Sequence, residues 1–241
     1  MKAVKQMTKH LLVDFGEVIS AAQPETTVRE MAALANLSTE EFRARYWASR
    51  PPYDLGQPAH EYWEHVFGRP VHGAELAEIR RLDLGSWTHL DFATIDALRS
   101  ARQNGARLTL LSNAPDDLAD AVGQSAVLKG VFDLMLFSAE LRLAKPSREI
   151  FDLALALTEW TAEDTLFIDD RLENLGAAEA LGIRTHRFTT AATLADELRG
   201  LSLGATADER SSRRRRTWRQ RMRDRQNARI VRSSTPRSLR S

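Results

Sequence analysis

"DTLFIDDRLENLGAAEALG", residues 164–182, decides the fold. Its first residues are a short apolar run, the pattern of a strand buried on both faces. Two acids follow, Asp169 and Asp170. Residues 173–182 then carry a helical pattern that stops on Gly182, a residue suited to a C-cap. Strand, acidic turn and helix in that order make one β–α unit.

Working outward, three more runs look the same: "HLLVDF" (10–15), "ARLTLLSN" (106–113) and "FDLMLFSA" (132–139). "GIRTHRF" (182–188) is a weaker fifth. Helical patterns at 115–128 and 147–160 separate them. Strands alternating with helices predict an α/β protein, a doubly wound parallel sheet covered on both faces. Residues 21–105 break that rhythm. They hold helical patterns at 25–36, 38–49, 57–67, 73–82 and 91–104 and no convincing strand, and "SRPPYDLGQP" (49–58) reads as a break. The expected organisation is a core of residues 1–20 and 106–204, a small helical cap of residues 21–105, and a tail of residues 205–241.

The net charge of +1 over 241 residues conceals two opposite parts. From Glu209 onward there are 13 arginines against two acids, so the remainder is acidic. This tail cannot form a core, and its composition predicts disorder. Arginine-rich and carrying Trp218, it could bind nucleic acid or another polyanion non-specifically, by counterion release. No apolar run is long enough to span a bilayer, and none behind Lys2, Lys5 and Lys9 suits a secretory signal. With 0 cysteines the chain has no thiolate metal site and no thiol nucleophile. A cytoplasmic protein fits.

In open α/β sheets, ligands bind beyond the carboxyl ends of the strands. The predicted strands end there on Asp14, on Ser112 with Asn113, on Ser138, and on Asp169 with Asp170. Lys145, in "AKPSREIF", stands at the entrance to the next helix. Each residue alone could sit in a turn or cap a helix. The set, in this order, carries the functional reading.

That order resembles the haloacid dehalogenase-like superfamily of hydrolases over about residues 10–190, most specifically in "FIDDRLENLGAAEALGI" and in "LSNAP" with "KPSREIF". The resemblance implies a Rossmann-like core, a helical cap inserted after the first strand, and Mg²⁺-dependent hydrolysis of a small phosphorylated metabolite. It implies Asp14 as nucleophile, with an aspartyl-phosphate intermediate. Asp14, the Gly16 carbonyl and Asp170 become Mg²⁺ ligands, with Asp169 ligating directly or through water. Ser112, Asn113 and Lys145 become phosphate binders, and Asn174 orients the acids.

One position departs from the family. A second Asp usually stands two residues after the nucleophile, where it protonates the leaving oxygen, a role worth ~10²–10⁴-fold. Here that position is Gly16, followed by Glu17. Some sugar-phosphate phosphatases of the superfamily share the D-x-G motif, so a sugar phosphate is the favoured substrate. Glu17 could supply the missing carboxylate, although a solvated turn residue is the simpler reading. The 2-haloacid dehalogenases, which work without Mg²⁺, carry an aromatic residue at the Gly16 position and rank second. A weakened domain acting as a binding module is the non-enzyme alternative. In the cap, Arg50 and Tyr53 are the candidates for reaching the substrate. Phe42, Tyr46, Trp47, Tyr62 and Trp63 are expected in the cap's own core.

Overall fold

All five apolar runs are strands of one parallel sheet. The computed structural model describes residues 10–201; the expected tail, 205–241, and Lys2, Lys5 and Lys9 lie outside the described residues. The chain opens with β1 (His10–Val13). It continues through α1 (Glu25–Leu34), α2 (Thr39–Ala48), α3 (Arg50–Asp54), α4 (Ala59–Phe67), α5 (Gly73–Trp87) and α6 (Phe92–Gln103). Then come β2 (Arg107–Ser112), α7 (Asp116–Gln124), β3 (Leu134–Phe137), α8 (Ser138–Leu141) and α9 (Arg148–Thr158). It closes with β4 (Thr165–Asp169), α10 (Leu172–Glu179), β5 (Arg184–Arg187) and α11 (Ala191–Gly200).

The strand order is β3-β2-β1-β4-β5. Val13 of β1 pairs with Leu110 on one side and Ile168 on the other, so β1 is the point where the winding reverses. Strands β1, β2 and β4 are buried almost throughout, because helices cover both sheet faces. Their sequences are therefore apolar runs rather than alternations. Edge strand β5 is only half-buried, which is why "RTHR" gave the weak signal.

Two apolar clusters organise the molecule. The first joins Leu11, Leu108, Leu110 and Ile168 of the sheet to Ile95 and Leu98 of α6 and Leu194 of α11. The second gathers Val28, Met31, Phe42, Tyr46, Tyr62 and Trp63, with Ile79, among α1 to α5. Helix α6 falls inside the stretch 21–105 expected as a cap, yet its buried face packs with the sheet cluster. Its amphipathic pattern cannot say which of two cores it enters. The inserted helices leave and rejoin the sheet layer through a short antiparallel pairing: Ser20 bridges Leu90, and Asp91 N donates to Ile19 O at 2.8 Å.

The expected break at 49–58 contains a helical turn, α3. Pro51 and Pro52 sit in its first turn, where N–H groups have no intrahelical acceptor, so proline does no harm there. The turn ends before Gly56, whose φ of +88° favours glycine. Helix α5 runs past the expected 73–82 to Trp87, through Gly85. Among the described residues no helix is long and apolar enough to cross a membrane.

Candidate active site

Because β1 and β4 are neighbours, the residues leaving their carboxyl ends meet. Asp14 N donates to Ile168 O at 2.9 Å, which brings Asp14 level with Asp169. Carboxylate oxygens of Asp14, Asp169 and Asp170 lie within 4.8 Å of one another. Lys145, 4% exposed, reaches in from the loop before α9. Its Nζ donates to Asp14 Oδ1 and to Asp169 Oδ2, each at 2.7 Å.

Asp169 is fully buried and heavily committed. Besides Lys145, it accepts from Arg171 N at 2.9 Å and from Asn174 Nδ2 at 3.0 and 3.1 Å. Asn174 therefore orients Asp169. Asn113 holds the backbone of Lys145: its Oδ1 accepts from Lys145 N at 2.9 Å and its Nδ2 donates to Lys145 O at 2.8 Å. That amide, expected on the substrate, lines the cavity over the acids and is also bonded to the loop that carries the lysine.

The electrostatics are those of too many acids for one cation. Burial pushes the Asp14 carboxyl up to about 7; Lys145 pulls it down, and the charge of Asp169 raises it again. Burial lowers the Lys145 ammonium's pKa, but Asp14 and Asp169 outweigh that and hold it above its ordinary value. Asp170, half-buried, is raised by burial first and then by Asp169 and Glu17. Three carboxylates against one ammonium leave an excess negative charge of the size a divalent cation carries. An all-oxygen donor set suits a hard cation such as Mg²⁺. The residues present fit that ion.

A cavity of ≈ 330 Å³ opens over this cluster. Asp14, Ser112, Lys145 and Asp170 form its floor, and Trp47, Arg50, Asp54 and Trp87 its upper wall. The volume is at the small end of the ~300–1,000 Å³ usual for small-molecule sites. A family model described as haloacid dehalogenase-like hydrolase matches residues 7–182, nearly three-quarters of the sequence.

The chain belongs to the haloacid dehalogenase-like hydrolases.

Two curated relatives span almost their full length on it. Sesquiterpene phosphatase AstK of Aspergillus oryzae is 24% identical over 199 residues, 80% of this chain and 96% of its own. D-ribitol-5-phosphate phosphatase of Bacteroides thetaiotaomicron is 25% identical over 202 residues, 80% of this chain and 97% of its own. Among solved structures, a HAD family enzyme of Bacteroides thetaiotaomicron in complex with magnesium and inorganic phosphate superposes with a TM-score of 0.62. It is 23% identical, over 75% of this chain and 94% of that one. L-2-haloacid dehalogenase of Xanthobacter autotrophicus gives 0.54 at 16% identity, over 81% and 84%.

In this haloacid dehalogenase-like hydrolase, Gly16 lines the cavity, and a Cβ built on it would lie 3.7 Å from the Trp87 ring, an ordinary contact. Glu17 stands exposed at the mouth with φ +55°, its N–H donating to Ser20 Oγ at 3.2 Å. Arg50 lines the cavity as expected. Tyr53 does not: it is 3% exposed and stacks on Tyr62 at 4.1 Å, inside the second apolar cluster. Nor does Ser138, whose Oγ accepts from Ala114 N at 3.0 Å and donates to Asp54 O at 2.5 Å. Sequence reasoning missed Asp54, Trp87 and Arg171, and placed Trp47 mainly in the cap core, whereas it also lines the cavity. The spacing Arg50–Asp54, four apart, would have flagged an ion pair had α3 been recognised as helix.

Proposed function

We propose that this hydrolase is a Mg²⁺-dependent phosphatase acting on a small phosphorylated metabolite, a sugar phosphate in preference, through an aspartyl-phosphate on Asp14. The observation that carries the reading is Lys145 Nζ held 2.7 Å from both Asp14 and Asp169 on the floor of a small cavity. Both curated relatives are named as phosphatases, one of a pentitol phosphate and one of a sesquiterpene.

Asp14 attacks phosphorus with a carboxylate oxygen while the bond from phosphorus to the alcohol oxygen breaks. Water then hydrolyses the acyl phosphate, releasing inorganic phosphate and returning Asp14. Asp14, Asp170 and the Gly16 carbonyl would hold the metal, with Asp169 behind them fixing Lys145. When bound, Mg²⁺ supplies the positive charge that lets a carboxylate approach a phosphate dianion. Lys145 neutralises a phosphate oxygen, and Ser112, whose hydroxyl has no hydrogen-bond partner among the described residues, donates to another. Gly16 offers no proton to the leaving alcohol, so turnover depends strongly on how good a leaving group that alcohol is.

The test is phosphate release from a panel of sugar phosphates, nucleotides and p-nitrophenyl phosphate, with Mg²⁺ and with EDTA. Release that needs metal and vanishes in Asp14→Asn is the expected result. Absence of release from every ester, with Mg²⁺ binding intact, would overturn it in favour of a binding module. Chloride release from 2-chloropropionate without metal would move the assignment to a dehalogenase.

A further inference from the structure

We propose that Arg50 and Asp54 form a pair that reads hydroxyl groups and so selects a phosphate monoester of a polyhydroxylated alcohol. The inference deepens the phosphatase reading and rests on it.

Both residues lie on α3, one turn apart, and both line the cavity while being 5% and 9% exposed. Arg50 Nε donates to Asp54 Oδ1 at 2.7 Å, and Arg50 Nη1 donates to Tyr46 OH. The rings of Tyr46, Trp47, Tyr53 and Trp87 lie 5.3–5.9 Å from its Cζ. Tyr46 OH is held in turn by Trp87 Nε1 at 2.9 Å and bonds Asp83 Oδ1 at 2.7 Å. The guanidinium plane is thus fixed before any ligand arrives.

Two atoms are left over. Among the described residues, Arg50 Nη2 and Asp54 Oδ2 have no hydrogen-bond partner, and neither is sealed from solvent. This donor and acceptor belong to side chains already joined through Nε and Oδ1 and mostly withdrawn from solvent, so a ligand that displaces their remaining water must bond both or lose ~1–3 kcal/mol for each left unmatched. A hydroxyl matches both, since it donates and accepts. A vicinal pair of hydroxyls can donate to Asp54 Oδ2 and accept from Arg50 Nη2 at once. An alkyl or isoprenoid chain would satisfy neither. A second anionic group would meet the Asp54 carboxylate. Trp47 and Trp87, edge to face at 6.1 Å, give the carbon skeleton an apolar wall. Sites built to bond a substrate hydroxyl reject its deoxy analogue by ~10⁴–10⁵, far more than apolar pockets discriminate.

The experiment compares ribitol 5-phosphate with n-pentyl phosphate, equal in chain length, by kcat/KM with Mg²⁺. Wild-type enzyme is expected to favour the pentitol ester by ~10³-fold or more. In Asp54→Leu, of similar size, that ratio is expected to fall by ~10²-fold, and in Asp54→Asn by ~10-fold, with a thermal melt confirming that each is folded. A wild-type ratio near one, or a ratio unchanged in a folded variant, would overturn the assignment. If neither ester is hydrolysed, the phosphatase reading fails and the pair is judged by calorimetric binding of the same two esters. Preferential binding of ribitol 5-phosphate, lost in the variants, sustains it; equal binding ends it.

Discussion

Asn113 grips Lys145 by both sides of its backbone, accepting its N–H at 2.9 Å and donating to its carbonyl at 2.8 Å. The lysine's side chain is aimed by this clamp at one end and by two carboxylates at the other. Misplacing a catalytic group by about 1 Å costs ~10²-fold. Asn113→Ala is therefore expected to lower kcat by ~10–10²-fold with a smaller change in KM. Asn113→Asp, which keeps the acceptor and loses the donor, should fall between. Steady-state kinetics on one good ester would check this; a pure KM effect would instead put the amide on the substrate.

Gly16 has room for the acid it lacks. Its Cβ position meets only the Trp87 ring at 3.7 Å, and its φ is not one that excludes an L side chain. Gly16→Asp is expected to raise kcat on an alkyl phosphate by ~10-fold or more, because proton donation matters most for a poor leaving group. On p-nitrophenyl phosphate the gain should be small. A loss of rate on both esters would mean that the cavity uses the space at Gly16 for substrate.

Asp170 is crowded by other acids. Burial, then the charges of Asp169 and Glu17, raise its pKa, so its ionised form is a burden on the metal-free fold. Saturating Mg²⁺ at ~100 times its Kd should stabilise the wild type by ~2.7 kcal/mol, a Tm rise of ~5–10 °C. Asp170→Asn should melt no lower than wild type in EDTA and gain little from Mg²⁺. A full Mg²⁺ shift in that variant would remove Asp170 from the metal site.

Far from the site, Asp133 ties β3 to its surroundings. It accepts from Arg102 Nη2 at 3.1 Å, Arg107 Nε at 2.8 Å and Leu108 N at 3.2 Å. Burial pushes its carboxyl up, but the two arginines outweigh burial and hold it below its ordinary value. A depressed carboxyl stabilises the fold above its unfolded pKa of ~3.9, and that contribution fades as pH falls through the folded value. Asp133→Asn is expected to cost ~1–3 kcal/mol at pH 7 and markedly less at an acid pH beneath the lowered folded value. Urea unfolding at the two pH values measures it; an equal loss at both would show that shape, not charge, is at stake.

The sheet was legible because its central strands are buried on both faces, which leaves an unmistakable apolar run in the chain. Asp14, Ser112, Lys145, Asp169 and Asp170 were legible because topology forces strand ends together, and their order along the chain survives folding. What escaped was set by packing. Tyr53 and Trp47 are both aromatics of the inserted helices, and nothing local tells that one turns into the aromatic stack while the other faces the cavity. Asp54 was hidden in a segment whose two prolines and glycine signal a turn, although prolines in the first turn of a helix are harmless. The expected tail could be read only as composition.

Helix α3 is seated in part by its main chain. Ser138 Oγ donates to the Asp54 carbonyl and Arg142 to the Leu55 carbonyl, two bonds that tie α3 to the sheet layer without using the Asp54 side chain. A peptide oxygen is the same whatever residue bears it. Part of the anchorage is thereby indifferent to the side chain carried at Asp54, and an exchange there leaves both of these bonds to the helix available.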